Sequence, residues 1–172
     1  MDIVVTDTNI FIDMIDLDML GLFFALPFTF HTTDFVVNEF TESYKEQKQA
    51  IQKYIDKSIL IVKTFSGAEV EEIFQYKTDE PSKLSFTDCS VLLYAQKNGY
   101  IILSNDHLLR TKSIERSIRV HGTVFVFDLC VEMNMMTKEE AYQKLYQWMT
   151  DNPRAPRKEC EKRLHSWYHQ SN

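Results

Sequence analysis

Short apolar runs alternate with stretches of helical periodicity along residues 1–127. Five runs have the length of buried strands in a parallel sheet and are rich in Val, Ile and Phe. They cover residues 2–6, 28–32, 59–63, 100–104 and 123–127. Since a predicted helix separates each run from the next, the strands need right-handed crossovers. The pattern therefore predicts an α/β fold, with a mainly parallel five-stranded sheet between two layers of helices.

Capping signals mark where several of the helices begin and end. Residues 66–69 and 137–140 have the spacing of a capping box, in which Ser or Thr is followed three positions later by Glu. Ser85 begins a further helix, which Gly99 ends. A polar loop is expected over residues 78–82, because this stretch is polar and contains a proline.

The end of the chain has the pattern of helices alone. Helices are expected over residues 128–135, 137–149 and 156–169, and no internal repeat interrupts them. We therefore divide the chain into a sheet domain over residues 1–127 and a C-terminal helical extension over residues 128–172. The extension is expected to pack on the same domain.

The composition is that of one soluble globular domain. With 172 residues, the chain is long enough to bury a core without disulfides. Its 44% hydrophobic and 26% charged residues exclude a disordered or fibrous protein. Its three cysteines form no Cys-x-x-Cys pair, and its longest apolar run, residues 19–28, is too short to span a membrane. We therefore expect a cytoplasmic protein that is neither exported nor anchored.

The net charge of −6 argues at first against a nucleic-acid ligand, but the charges are unevenly distributed. Residues 1–106 hold 8 basic and 17 acidic side chains, whereas residues 107–172 hold 11 basic and 8 acidic ones, including all six arginines. Because arginine pairs bidentately with phosphate, this distribution predicts a metal site beside a phosphate-binding rim. The candidate substrate-binding residues are Arg110, Arg154 and Arg157. Uneven surface charge without a function is the alternative.

Four acidic residues occupy comparable places in the predicted sheet. Asp7 follows the first strand, Asp106 follows the fourth, and Asp88 lies in the first turn of the helix that leads into the fourth. Glu39 lies near the middle of the helix that follows the second strand. Because the carboxyl ends of parallel strands share one edge, where ligands bind, we expect these four residues to converge there.

The four residues also have simpler interpretations when each is taken alone. An aspartate at a helix start can be only a cap, worth about 0.5–2 kcal/mol, and Glu39 can belong to a solvated helix face. Taken together, four carboxylates crowded at one edge repel one another unless a cation holds them. Oxygen ligands of this kind suit Mg²⁺ or Mn²⁺. We call Asp7, Glu39, Asp88 and Asp106 the acidic quartet.

Four segments of the sequence carry a resemblance to a known family. They are, in order, VVTDTNIFID, VVNEF, LSFTDCSVLLYA and IILSNDHLLR. In order and spacing they resemble the PIN domain, and the resemblance covers residues 1 to about 127. It implies a three-layer α/β/α fold in which the acidic quartet is catalytic and binds the metal. It also implies that Ser104 is the family's small hydroxyl residue, and that Asn9 and Asn105 orient the carboxylates or a metal-bound water.

The resemblance also implies a function. PIN domains of this kind are metal-dependent ribonucleases, which hydrolyse RNA with Mg²⁺ or Mn²⁺ and leave 5′-phosphate and 3′-hydroxyl ends. Many bacterial members resemble VapC toxins, so a toxin–antitoxin role is a further expectation, with an antitoxin and a homodimer as partners. The helical tail makes this chain longer than a typical compact toxin. The alternative is a non-catalytic PIN-like module that binds RNA or protein. Such a module would lack the quartet, which this chain retains.

Overall fold

Five parallel strands form the centre of the computed structural model, which describes residues 1–79 and 83–169. The strands are β1 (Asp2–Thr6), β2 (Phe28–Thr33), β3 (Leu60–Lys63), β4 (Ile101–Leu103) and β5 (Val120–His121). Their spatial order is β3-β2-β1-β4-β5, and Val4 of β1 lies between Phe30 of β2 and Ile101 of β4. The predicted α/β fold with a parallel five-stranded sheet is therefore confirmed.

Ten helices in the described residues flank this sheet. They are α1 (Thr8–Asp16), α2 (Leu20–Phe24), α3 (Asp34–Glu39), α4 (Lys45–Asp56), α5 (Gly67–Asp79), α6 (Phe86–Asn98), α7 (His107–Glu115), α8 (Thr123–Glu132), α9 (Lys138–Asp151) and α10 (Arg157–His169). Helix α6 packs on β1, β2 and β4 and contacts α3, α5 and α7, whereas α1 contacts α2, α4 and α8. The sheet thus lies between helices, as the sequence predicts.

The core includes β1 and the apolar run at residues 19–28. Val4 and Val5 are fully buried, because helices cover both faces of a parallel sheet. The apolar run forms α2 and the turn after it, and the ring of Phe23 packs 4.7 Å from that of Phe30, measured between centroids. Burying each such side chain contributes about 1.5–3 kcal/mol, so this cluster fixes how β2 follows α1 and α2.

The predicted fifth strand at residues 123–127 is wrong. This segment is the first half of α8, and the true strand β5 is the two-residue pair Val120–His121 just before it. A short run of β-branched and aromatic residues cannot be told from a fully buried helix by its pattern alone. Val124, Phe127 and Cys130 are all buried, so the apolar run is as compatible with a buried helix as with a strand. The expected domain boundary at residue 127 therefore falls inside a helix.

The capping signals mark real helix ends. Ser66 and Glu69 exchange hydrogen bonds at the start of α5, and full capping boxes begin α6 and α9. Gly99 ends α6 with a φ of 69°, in the left-handed region that favours glycine. Helix α5 continues through Asp79, so the predicted loop is wrong for residues 78 and 79, and residues 80–82 lie outside the described residues.

The helices after residue 132 pack on the rest of the chain. Helix α9 contacts both α8 and α10. Side chains of α9 (Leu145 and Trp148) and of α10 (Cys160 and Trp167) are buried in the same core cluster as the sheet. Across residues 1–79 and 83–169, no helix is long and apolar enough to cross a membrane. The C-terminal helices therefore lie close enough to the sheet to contribute to a site at its edge.

Candidate active site

The chain reverses its direction of winding between β1 and β4. From β1 it proceeds to β2 and β3 on one side, and it later returns to β4 and β5 on the other. Asp7 follows β1 directly, and its backbone N–H donates to the carbonyl of Leu103 at the end of β4, 3.0 Å away. Ligands of open parallel sheets bind at such a reversal, outside the carboxyl ends of the strands. The site residues after β1 and β4 are therefore neighbours.

Asp7 is the buried centre of the site, with only 4% of its surface exposed. Its Oδ2 accepts hydrogen bonds from the hydroxyl of Ser104 (2.7 Å) and the amide of Asn9 (2.6 Å), and its Oδ1 accepts one from the N–H of Thr8 (2.7 Å). Burial raises the pKa of Asp7 to about 7, although the Ser104 bond opposes this; the negative charge of Asp88 adds to the rise.

The loop after β4 is held rigidly beside Asp7. The Ser104 hydroxyl accepts a hydrogen bond from the N–H of Asp106 (3.0 Å), and the N–H of Asn105 donates to Oδ1 of Asn9 (2.9 Å). Asp106 then begins α7, and its Oδ1 accepts from the N–H of Leu109 (2.8 Å). The loop and the start of α1 are therefore tied together by side chains of both segments.

Asp88 and Glu39 approach the same site from two other helices. Asp88 lies in the first turn of α6, where its Oδ2 accepts from the N–H of Ser85 (2.8 Å). Burial raises the pKa of Asp88, and the charges of Asp106 and Glu39 raise it further. Glu39 is the last residue of α3, a shorter helix than expected, and it accepts a hydrogen bond from the hydroxyl of Thr8.

The structure brings the four carboxyl groups of the acidic quartet into one electrostatic cluster. The charges of Asp88 and Glu39 raise the pKa of Asp7, and those of Asp106 and Glu39 raise the pKa of Asp88. The three aspartates also cap helices α1, α6 and α7. The cap interpretation is therefore confirmed for the three aspartates, whereas a metal held by the quartet stays a prediction.

The carboxylate oxygens of the quartet are of the chemical type that binds a hard divalent cation. Within the described residues, no hydrogen bond is donated to Oδ1 of Asp88, Oδ2 of Asp106 or Oε1 of Glu39. Nor does any described Lys, Arg or His form an ion pair with the quartet. In residues 1–79 and 83–169, no three His, Cys, Asp or Glu side chains are grouped closely enough to hold a metal ion as they stand. Free carboxylate oxygens around a buried acid are the ligands that Mg²⁺ and Mn²⁺ prefer.

A fifth acidic residue, Asp13, belongs to the site and was not among the predicted residues. It lies in α1 with 7% of its surface exposed, and its Oδ2 accepts from the amide of Asn105 (2.6 Å) and the hydroxyl of Thr123 (2.7 Å). Its Oδ1 accepts from the indole N–H of Trp148 (2.9 Å). Asp13 precedes the buried Met14 in α1, and an acid beside core residues is the signal that points to buried donors.

The predicted arginines lie in three different surroundings. Arg110 donates to the carbonyl of Ser104 at 3.2 Å, so it supports the loop after β4 from α7. Arg154 is exposed and lines a groove beside Asp106, whereas Arg157 is exposed at the start of α10. Substrate binding by the three arginines stays a prediction, and of the three only Arg154 lines the groove that Asp106 also lines.

Gly122 provides the close approach that this arrangement needs. A Cβ at this position would clash with Oδ1 of Asn105 and lie 3.0 Å from Nη1 of Arg110. The Asn105 amide cannot turn aside freely, because its Oδ1 accepts from the N–H of Thr123 and its Nδ2 donates to Asp13. A side chain at residue 122 would therefore disturb the loop that carries Asp106.

We expect Gly122→Ala to lower the free energy of unfolding by about 1–3 kcal/mol, as overpacking in a close contact does. Gly67→Ala is the matched control, since Gly67 begins α5 with no atom within 4 Å of the added Cβ. Urea unfolding of both variants measures the difference. Equal midpoints for the two variants would show that the Asn105 contact does not constrain the loop.

A doubly wound parallel sheet with buried carboxylates at its reversal point defines a class of α/β protein whose ligands bind at that edge. Comparison with family models identifies the family, since the model described as "DUF3368: PIN domain" matches residues 3–169. The chain therefore belongs to the PIN domain family, as its motifs predict. The match continues beyond residue 127 and takes in the C-terminal helices.

A solved structure supports the same fold. The chain is similar to a PilT N-terminus domain protein, SSO1118, from the hyperthermophilic archaeon Sulfolobus solfataricus P2, with 16% sequence identity and a TM-score of 0.50. The similarity covers 72% of this chain and 89% of the archaeal chain. At this identity the likeness concerns the fold alone. The comparison with curated proteins finds no match.

Proposed function

We propose that this protein is a metal-dependent ribonuclease that hydrolyses RNA phosphodiester bonds at the acidic quartet. The observation that carries the proposal is the buried Asp7 beside Asp88 and Glu39. Burial and, to a smaller extent, the charges of these two acids raise the pKa of Asp7, and no described cation pairs with them. Such a site favours a bound divalent cation, which removes the repulsion. Membership of the PIN domain family, whose members commonly are nucleases, supports the same activity.

The quartet would hold Mg²⁺ or Mn²⁺ through carboxylate oxygens. When bound, such an ion lowers the pKa of a coordinated water and stabilises charge that develops on the phosphate. The surrounding residues set the positions of the acids: Ser104 and Asn9 fix the carboxylate of Asp7, and the Thr8 hydroxyl holds Glu39. No covalent nucleophile is needed, because the attacking group is water.

Removal of the metal tests this proposal. We expect cleavage of single-stranded RNA in Mg²⁺ or Mn²⁺, a loss of at least about 100-fold in EDTA, and recovery when excess Mn²⁺ is returned. The products should carry 5′-phosphate and 3′-hydroxyl ends, which end-specific ligation detects. Asp106→Asn, purified in parallel, controls for contaminating nucleases. Cleavage that persists in EDTA, or that the variant retains, would instead support a non-catalytic RNA- or protein-binding module.

The narrower biological role stays a prediction. A toxin–antitoxin pair, an antitoxin partner, a homodimer and a cytoplasmic location are expectations from the sequence and the family resemblance. Cleavage of RNA is the property on which the toxin role depends, so the metal experiment comes first.

A further inference from the structure

A groove of about 810 Å³ adjoins the acidic quartet. Helix α1 and the loop after β4 form one side, and the end of α9 with the turn that follows it forms the other. Asn9, Asn105 and Asp106 line the groove and also belong to the site described above. The groove therefore begins where a bound phosphodiester would lie, and its far wall comes from the C-terminal extension.

The lining of this groove is acidic and rich in amides. Four residues of the described lining contribute carboxylates and four contribute amides, whereas its basic side chains are those of Arg154 and His107. The carboxylates belong to Asp13, Asp16, Asp106 and Asp151, and the amides to Asn9, Asn105, Gln147 and Asn152. An excess of carboxylates repels phosphate, so the groove does not suit the RNA backbone. Its apolar parts, which include Ile12 and Pro153, suit a flat uncharged ring.

The far wall is held at a fixed position by buried hydrogen bonds. Trp148 and Asn152 donate to Oδ1 of Asp13 at 2.9 and 3.5 Å, while Asn105 from the opposite side donates to its Oδ2 at 2.6 Å. Asp13 thus joins the C-terminal extension to the loop that carries Asp106. A groove whose two sides are tied together in this way is formed before a ligand arrives, which lowers the cost of binding.

We propose that this groove holds the base of one unpaired nucleotide next to the scissile phosphate, an inference that rests on the proposed ribonuclease function. Carboxylates accept hydrogen bonds and donate none, so they pair with the exocyclic amino groups of adenine, cytosine and guanine. Uracil has no amino group; it offers one N3–H donor flanked by two carbonyl oxygens that repel carboxylates, so it pairs with them less well. In a duplex these base edges are already paired, so the groove selects single strands with an amino-bearing base at this position.

The test compares cleavage of fluorescein-labelled twelve-nucleotide oligocytidylate, oligoadenylate and oligouridylate in Mn²⁺. We expect kcat/KM for the first two to exceed that for oligouridylate about tenfold, which corresponds to one good hydrogen bond to a base. The Asp16→Asn/Asp151→Asn double variant should reduce this ratio to within about twofold, chiefly by lowering kcat/KM for oligocytidylate and oligoadenylate. Asp56→Asn, an exposed aspartate on α4 outside the groove, is the matched control.

A binding measurement separates this inference from the proposed function. In an Asp7→Asn background, fluorescence anisotropy should show the same preference for oligocytidylate over oligouridylate, and weaker binding of a cytidylate strand annealed to its complement. If wild type cleaves all three oligonucleotides equally, or if the double variant keeps the wild-type preference, the base subsite is refuted while the ribonuclease stands. If no oligonucleotide is cleaved and none is preferred in binding, both proposals fail. Tighter binding of an arginine-rich peptide than of any oligonucleotide would assign the groove to a protein ligand.

Discussion

Asp7→Asn is expected to abolish RNA cleavage and at the same time to stabilise the metal-free protein. The carboxylate of Asp7 lies at the centre of the quartet, so its loss should lower kcat by at least about 1,000-fold if the metal supplies most of the rate. In the absence of metal, this same carboxylate is buried beside Asp88 and Glu39, and ionising it costs free energy. The amide keeps an oxygen for the Ser104 and Asn9 bonds while removing the charge.

The free energy of unfolding of the metal-free protein is expected to depend on pH through Asp7. Asp7 has a pKa of about 7 in the folded protein and about 3.8 when unfolded. Between these values the folded state binds more protons than the unfolded state, so the free energy of unfolding falls as pH rises from about 4 to about 7. Above pH 7 the slope disappears and the full cost remains, on the order of 4 kcal/mol. Asp7→Asn should lack this part of the slope.

Thermal unfolding in EDTA at pH 5 and pH 8 measures the effect. We expect the melting temperature of Asp7→Asn to exceed that of wild type by about 2–8 °C at pH 8, which corresponds to roughly 1–2 kcal/mol recovered. Mn²⁺ should raise the melting temperature of wild type and raise that of the variant much less. The control is Asp56→Asn, whose aspartate is exposed on α4. An unchanged pH slope, or full stabilisation of the variant by Mn²⁺, would contradict the assignment of Asp7.

Much of this site could be predicted from the sequence because its signals are local. The apolar run before Asp7 and the run before Ser104 each have the strand pattern, and the rule for parallel sheets then places both residues at one edge. The capping residues at the starts of α5, α6 and α9 are read within four positions of each helix start. Local chemistry therefore sufficed for four of the strands and for the placement of the three aspartates of the quartet, whereas Glu39 ends its helix instead of lying near the middle.

The remaining parts depend on contacts between distant residues. Asp13 bonds to Asn105, Thr123 and Trp148, which are 92, 110 and 135 positions away in the chain. No spacing rule relates such residues: the place of Asp13 beside core residues of α1 indicates burial, but only the fold identifies its partners. The strand predicted at residues 123–127 was wrong for a related reason. The surrounding structure buries this segment on several sides, and an apolar run that is buried on several sides can be a helix as well as a strand.

Removing the Asp13 carboxylate is expected to give the largest loss of stability in the site. Asp13→Ala leaves the Trp148 indole, the Thr123 hydroxyl and the Asn105 amide without their acceptor in a buried region. Each buried donor left unpaired costs about 1–3 kcal/mol, partly offset because a buried charge is also removed. We expect a net decrease of about 3 kcal/mol in the free energy of unfolding.

Asp13→Asn and Trp148→Phe separate the hydrogen bonds from simple packing. Asp13→Asn keeps the shape of the side chain and one acceptor oxygen, so it should lower the free energy of unfolding less than Asp13→Ala does. Trp148→Phe removes one hydrogen-bond donor and keeps an aromatic ring. Urea unfolding of the two single variants and their double variant forms a cycle in which residues sharing a hydrogen bond couple by about 0.5–3 kcal/mol. Ser66→Ala serves with Asp13→Asn as the uncoupled pair, because Ser66 caps α5 at an exposed position. Additive losses for Asp13 and Trp148, or a wild-type midpoint for Asp13→Ala, would mean that the C-terminal helices are held to the site by packing alone.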